Sequence, residues 1–142
     1  MGDALGILGV DNMMLTVGDM AVAKRFYGEI LGLEVKFDAS EFGIMAYRLG
    51  AEEPGLILRL GDVPESPPRE TPRVWLEVQD VHEAVKWLNA MKIPLVAPLG
   101  AMRTGWFLEF ADPWGNVIGL ADYLKAPDKA RKAPDGAPPA GR

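Results

Sequence analysis

The residue pattern around positions 12–27 returns 61 residues later, around positions 73–88. Identical residues stand at that offset in four pairs, Leu15 and Leu76, Val17 and Val78, Asp19 and Asp80, and Ala23 and Ala84. A fixed self-offset within an apolar pattern is typical of duplicated structural units. The sequence therefore predicts two similar units, which restricts the fold more than any other property of the chain.

Each copy begins with the pattern of a strand and continues with that of a helix. Residues 12–17 alternate so that Met13, Leu15 and Val17 share one face. Asp19 and Asp80 then stand where a helix N-cap is expected. Three further short strands follow each helix, so each unit has the order β-α-β-β-β. The predicted fold class is α+β: two βαβββ units that form a curved mixed sheet around a cavity, with helices on one sheet face.

Composition divides the chain into a folded part and a tail. We expect one domain over 1–124, with units at about 9–61 and 72–124. The segment 61–72 contains four prolines, which suits a surface linker between the units. Residues 125–142 are dominated by Ala, Pro, Lys, Asp and Gly, a composition that predicts a disordered tail.

Charge and composition exclude several classes of function. A net charge of −5 argues against a nucleic-acid partner, because phosphate binding needs a basic surface. No apolar run approaches the roughly 18 residues of a membrane span. The absence of cysteine excludes a disulfide framework and a thiol nucleophile. Since the N-terminus also lacks the pattern of a secretion signal, we expect a cytoplasmic protein.

Two motifs carry a family resemblance: the doubled helix entry, Leu15-Thr-Val-Gly-Asp and Leu76-Glu-Val-Gln-Asp, and the turn Asp112-Pro-Trp-Gly-Asn. With them, residues 12–123 resemble the vicinal oxygen chelate superfamily of glyoxalase I, extradiol dioxygenases, fosfomycin-resistance enzymes and bleomycin-resistance proteins. The resemblance implies that each sheet curls into a half-barrel. It also implies that metal-dependent members hold a divalent ion with His and Glu from the first and last strand of each unit.

The residues that match those ligand positions are unsuited to a metal: Asn12, Arg59, Arg73 and Gly119. Asparagine is a weak ligand, arginine repels a cation, and glycine has no side chain to offer. His82 is the only histidine, and it falls in the first turn of the second helix, where we expect it to be solvated. The sequence therefore predicts no metal and no other cofactor.

Strand alternation places a mixed set of side chains towards the expected cavity. The predicted ligand-binding residues are Asn12, Met14, Ile57, Arg59, Arg73, Trp75, Phe107, Glu109, Trp114 and Gly119. The arginines either bind an acid or polar oxygen group of a ligand, or pair internally with Glu109 and Glu77. Trp114 either stacks on a ligand at the cavity mouth or covers the edge of the core.

Three functions fit this set. The first is a metal-independent, bleomycin-resistance-type protein that sequesters an anionic or carbonyl-rich organic compound, such as an antibiotic. The second is a cofactor-free lyase, isomerase or cyclase of secondary metabolism, with Glu109 or Glu77 as base and an arginine stabilising an oxyanion. The third is a metalloenzyme with relocated ligands such as those glutamates. The resemblance implies a homodimer, and the units pair either within one chain or across the dimer.

Overall fold

The computed structural model of the chain describes residues 8, 10–70 and 72–132. The chain divides into two compact units, Met1–Val63 and Pro64–Arg142, and the division falls inside the predicted linker 61–72. Residues 133–142 of the predicted tail lie outside the described residues. Among the described helices, none is long and apolar enough to cross a membrane.

Unit 1 contains one helix and one four-stranded sheet. Its elements are β1 (Asn12–Val17), α1 (Met20–Ala23), which continues as a π-helical segment (Lys24–Ile30), β2 (Val35–Ala39), a 3₁₀ turn (Ser40–Phe42), β3 (Ile44–Leu49) and β4 (Glu52–Leu60). The strand order is β1-β4-β3-β2, with β1 parallel to β4 and the other pairs antiparallel. The sheet is therefore mixed, as predicted.

The first helix begins where the sequence predicts and then changes its winding. The Asp19 carboxylate accepts a hydrogen bond from the backbone N–H of Val22 at 3.0 Å, so the predicted N-cap is confirmed. From Lys24 onward the helix has the wider π winding, as in the bond from Leu31 N–H to Phe26 O at 2.9 Å. The first helix therefore extends continuously to Ile30, with its second half wound as a π-helix.

The core of unit 1 lies between the helix and one face of the sheet. Tyr47 and Leu58 are 1% and 0% exposed, and a side chain added at Gly28 of the helix would contact the Tyr47 hydroxyl. Burying a large apolar side chain contributes about 1.5–3 kcal/mol. The register pairs Met14 with Ile57 and Thr16 with Arg59, so these residues share the opposite face, which we call the helix-free face.

Unit 2 repeats the same order of elements. It contains β5 (Val74–Glu77), α2 (Val81–Ala90), β6 (Leu95–Met102), β7 (Gly105–Ala111), β8 (Val117–Ala121) and a 3₁₀ turn (Pro127–Lys129). The strand order is β5-β8-β7-β6, and only the β5–β8 pair is parallel. The predicted α+β fold of two βαβββ units with mixed sheets is confirmed.

Strand β6 is the longest strand of unit 2, with eight residues. It extends to Met102 despite containing Pro98, and its pairing with β7 shifts register twice. A proline is tolerated there because β6 lies at the edge of the sheet, where its missing N–H breaks no ladder on the outer side. Such register shifts increase the local bend and twist of the strands.

The predicted turn between β7 and β8 is closed by one carboxylate. Asp112 accepts hydrogen bonds from the backbone N–H groups of Trp114 and Asn116, both at 2.9 Å. Gly115 has φ of +84°, and a side chain on it would collide with the Pro67 carbonyl. Ser66 also donates to the Trp114 carbonyl at 2.8 Å. The second half of the proline-rich linker is therefore bound to this turn.

Candidate functional site

The helix-free face of unit 2 brings together five predicted site residues. The register pairs Trp75 of β5 with Gly119 of β8, and Gly119 with Glu109 of β7. Alternation then places Phe107 two residues from Glu109 on the same face, and Arg73 two residues from Trp75. Strand pairing alone thus collects side chains that lie up to 46 residues apart in the chain.

Trp75 and Phe107 form a flat aromatic surface, which we call the aromatic platform. Their ring centroids are 5.3 Å apart, and their planes are inclined by 26°, an offset stack. A side chain on Gly119 would collide with the Trp75 indole, and one on Gly100 would lie 2.5 Å from the Phe107 ring. Both rings therefore lie over glycines. Trp75 remains 46% exposed, so one side of the platform is open to solvent.

Glu109 fixes this platform to an arginine. One carboxylate oxygen accepts the Trp75 indole N–H at 2.9 Å, and the other accepts a guanidinium N–H of Arg73 at 2.6 Å. The bond to Glu109 raises the pKa of Arg73 above its ordinary value, with a smaller contribution from Glu70. Of the two alternatives for Arg73, the structure contains the internal ion pair.

Glu77, the other candidate base, is also paired, but with a residue that the sequence does not predict. One carboxylate oxygen accepts a guanidinium N–H of Arg131 at 2.7 Å, and the other accepts the Arg131 backbone N–H at 2.8 Å. The Glu77 side chain is 15% exposed. Residues 125–132 of the predicted tail are thus partly bound to β5.

The helix-free face of unit 1 carries the other predicted strand residues, Asn12, Met14, Ile57 and Arg59. Met14 is 55% exposed and lies beside Ile57. Arg59 is exposed and makes no hydrogen bond or ion pair with any residue in the described part of the chain. The Asn12 amide donates to Asp11 at 3.1 Å, while its buried carbonyl oxygen has no partner among the described residues. This face therefore combines apolar surface with an available cation.

Trp114 does not lie on either sheet face. It belongs to the turn closed by Asp112, and its side chain is only 3% exposed. Its carbonyl accepts hydrogen bonds from Ser66 and Arg69. Of the two alternatives for this tryptophan, burial supports packing in the core rather than stacking on a ligand.

The positions that correspond to the family's metal ligands do not fit a metal. Met14 pairs with Ile57 and Trp75 pairs with Gly119, so Gly119 is the counterpart of Ile57 and not of Arg59. The counterpart of Arg59 in unit 2 is Ala121. Neither assignment supplies a donor, because isoleucine, glycine and arginine are not ligands. Gly119 is in addition covered by the Trp75 indole.

One other group of potential ligands occurs in the described residues, and the sequence did not reveal it. Ligand atoms of Asp80, His82 and Asp122 lie within 4.8 Å of one another. Asp122 is fully buried and accepts backbone N–H bonds from Val81 and Trp106, at 2.8 and 3.0 Å. These bonds tie the start of α2 to the start of β7, so the carboxylate has a structural role in this arrangement.

The surroundings of this group also oppose a cation. The His82 ring packs edge-on against Trp106 at 4.9 Å, and the Lys125 ammonium lies 4.2 Å from the centre of the same indole. His82 is exposed, as expected, and is on the helix side of the sheet, opposite the aromatic platform. A hint in the sequence is that Asp122 directly follows the last strand, but only the fold brings it to the helix start.

Fold and site together define a protein of two βαβββ units whose sheet faces carry aromatic and ion-paired side chains. The profile of the glyoxalase/bleomycin resistance protein/dioxygenase superfamily matches residues 9–120. The chain therefore belongs to this superfamily, as its motifs indicated.

Solved structures agree with this assignment. A glyoxalase/dioxygenase from Nostoc punctiforme is similar with a TM-score of 0.69 and 23% identity, over 87% of this chain and 96% of that one. A fosfomycin resistance protein from Listeria monocytogenes gives 0.66 and 16%, over 82% and 93%. Lactoylglutathione lyase from Agrobacterium tumefaciens gives 0.60 and 16%, over 82% and 95%. At such identities the likeness shows the fold alone. No curated protein sequence matches the chain.

Proposed function

We propose that this protein binds and sequesters a planar organic compound without the help of a metal, and that the compound stacks on the aromatic platform. The carrying observation is the Trp75–Phe107 pair, whose rings stack beside two glycines with the indole 46% exposed. Large exposed aromatic surface is the usual basis for holding the body of an organic ligand. Sequestration requires no catalytic group.

The platform is held in position before any ligand arrives. The indole N–H is fixed by Glu109, and Arg73 in turn fixes Glu109. A ring that is already ordered loses less conformational entropy on binding, so more of the stacking energy appears as affinity. Aromatic stacking contributes about 0.5–1.5 kcal/mol beyond the burial of area.

The charge of the ligand is less constrained than its shape. The expectation of an anionic or carbonyl-rich compound depends on two available arginines, and Arg73 is already paired at 2.6 Å. Arg59 lies on the helix-free face of unit 1, whereas the platform belongs to unit 2. The proposal therefore specifies a planar aromatic body, and the three charged and neutral probes below determine the sign of the ligand's charge.

The alternative of a cofactor-free enzyme receives no support from the two candidate bases. Each oxygen of Glu109 and of Glu77 accepts a hydrogen bond, and each carboxylate faces an arginine. Such contacts occupy lone pairs that a general base needs to accept a proton. The same pairing opposes a metal held by these glutamates.

Planar natural-product antibiotics are one class of compound that fits the proposal. The similar structure from Listeria monocytogenes is named as a fosfomycin resistance protein, which places antibiotic resistance among the functions of this fold. The homodimer and the cytoplasmic location stay predictions. Light scattering on the purified protein tests the first.

Binding of three planar probes tests the proposal: 2-naphthamide, 2-naphthoate and 2-naphthamidine, which share one ring system and differ in charge. Titration calorimetry on the wild type should detect binding of at least the neutral amide. Trp75→Ala should weaken binding by about tenfold, because a stacked ring contributes roughly 1.4 kcal/mol to the binding free energy.

Trp87→Ala is the matched control, because Trp87 is 50% exposed but lies on α2. It should leave the affinity unchanged. The proposal fails if no planar probe binds, or if the two tryptophan variants weaken binding equally.

A further inference from the structure

Glu77 lies directly beside the aromatic platform. It follows Trp75 by two residues on β5, so both side chains project from the same face. In the register, Glu77 pairs with Ala121, and Ala121 pairs with Phe107. A carboxylate thus stands at one end of the platform, while the Arg73–Glu109 ion pair stands at the other.

The group that now occupies Glu77 comes from the C-terminal segment of the same chain. A 3₁₀ turn at Pro127–Lys129 leads to Arg131, whose guanidinium and backbone N–H each bind one carboxylate oxygen. Near the start of this segment, Lys125 N–H donates to the Thr104 carbonyl at 3.0 Å. We call residues 125–132 the C-terminal strap.

The two glutamates of this face differ in how firmly they are held. Glu109 is bound to Arg73, whose side chain is 32% exposed, and it also holds the indole of the platform. The Arg131 side chain is 69% exposed, so its ion pair with Glu77 is strongly screened by water. Ion pairs with a solvent-exposed partner contribute little to stability, because water and salt screen them. Glu77 is therefore the carboxylate that a ligand is able to claim.

We propose that Glu77 is a subsite for the cationic group of the ligand, and that Arg131 is its built-in occupant, which the ligand displaces. This inference rests on the proposed function and adds to it. The fitting class is a planar aromatic compound that carries an amidinium, guanidinium or ammonium group next to its ring. An amidinium offers two parallel N–H donors to both carboxylate oxygens, whereas Arg131 binds one oxygen through its guanidinium and the other through its backbone N–H.

The three naphthalene probes test this inference on the full-length protein. In the wild type, 2-naphthamidine can bind Glu77 only in those molecules in which Arg131 does not cover it. The apparent affinity of the wild type for 2-naphthamidine should therefore be lower than the affinity of the uncovered site. Arg131→Ala removes the guanidinium and keeps the backbone N–H, so it should tighten 2-naphthamidine by about two- to sixfold and leave 2-naphthamide unchanged. Glu77→Gln should abolish this gain when it is combined with Arg131→Ala.

Lys132→Ala is the matched control, because it removes a neighbouring cation of the strap that is exposed and not bound to Glu77. It should leave all three affinities unchanged. Thermal unfolding of each variant establishes that it is folded before binding is compared. Arg131→Gln provides a second variant that removes the charge and keeps a polar side chain.

Several results would overturn the inference. One is an equal gain in Lys132→Ala, which would indicate a general effect of charge. Another is an equal gain for 2-naphthamide, which would indicate that the strap acts by bulk alone. If 2-naphthamide binds at Trp75 but Arg131→Ala leaves 2-naphthamidine unchanged, the subsite is wrong and the proposed function stands. If none of the probes binds to wild type or to Arg131→Ala, both proposals fail.

Discussion

The two units place different chemistry on equivalent faces of the same sheet. In unit 1, Met14 lies beside Ile57, and in unit 2 the equivalent pair is Trp75 and Gly119. The glycine leaves room for an indole to lie flat, while a branched side chain at the same position does not. Gly119 thus allows the Trp75 indole to lie against the sheet, whereas Ile57 holds the equivalent position in unit 1.

The charged groups differ in the same way. On the helix-free face of unit 2, Arg73, Glu109 and Glu77 are all paired. On that of unit 1, Arg59 has no partner in the portion of the chain that the structure describes. Unit 2 thus presents a surface of paired side chains, and unit 1 presents an exposed cation beside the exposed side chain of Met14. We therefore place the ligand on unit 2.

The largest effects are expected on the helix side of the sheets, where the units are alike. Leu58 and Leu120 are equivalent residues, 0% and 8% exposed. Leu58→Ala and Leu120→Ala should each lower the free energy of unfolding by about 2–5 kcal/mol, with Leu120 nearer the lower value. Urea unfolding measures this. If either variant lowers the free energy of unfolding by only the roughly 0.5 kcal/mol typical of a surface substitution, the two leucines are not equivalent core residues.

A smaller effect is expected where the two faces diverge. Gly119→Ala inserts a methyl group against the Trp75 ring and should destabilise the fold by about 1–3 kcal/mol, as overpacking does. Trp75→Ala in the same molecule should remove most of that cost, because the collision partner is gone. A double-mutant cycle by urea unfolding measures the coupling. If the two costs simply add, the indole does not lie over Gly119.

The two arginines provide a matched pair. Arg73→Ala leaves Glu109, whose side chain is 13% exposed, without its cation and should lower the melting temperature. Arg59→Ala should change the free energy of unfolding by less than about 0.5 kcal/mol. Thermal unfolding of both variants under one condition decides this. Equal costs would mean that Arg59 has a structural partner after all, and the comparison of the two faces would lose its electrostatic part.

The smallest effect concerns a polar cluster of unit 1. Hydrogen bonds from Ser40, and then the Lys24 ammonium, lower the pKa of Asp38 from 3.8 to about 2. A lowered pKa adds stability above pH 3.8, and this stability is lost as the pH falls towards 2. Asp38→Asn should therefore make the melting temperature less dependent on pH between pH 3.8 and about 2. If the melting temperatures of wild type and variant fall in parallel as the pH is lowered, the contacts of Asp38 do not contribute to stability in this window.

The sequence was sufficient for the fold because the repeat and the binary pattern are local signals. It also placed Trp75, Phe107 and Glu109 on one face, since alternation within a strand requires no knowledge of its neighbours. The sequence did not reveal the role of Gly119, because the register between distant strands decides which ring covers this glycine.

Arg131 was missed for a different physical reason. The composition of residues 125–142 has too few apolar residues to form a core, which is the usual mark of a tail. A single ion pair between such a segment and Glu77 leaves no periodic pattern in the sequence. The π-helical segment at Lys24–Ile30 likewise follows from packing and not from a local motif.

The most direct test of the central claim is NMR observation of the tryptophan indole N–H signals during titration with 2-naphthamide. The chain has four tryptophans, and the variant Trp75→Phe identifies the signal of the platform by its loss. We predict that the Trp75 signal shifts progressively and saturates, while the signals of the buried Trp114 and of Trp87 on α2 stay in place. A titration that shifts the other indoles and leaves Trp75 unchanged would contradict binding at the platform.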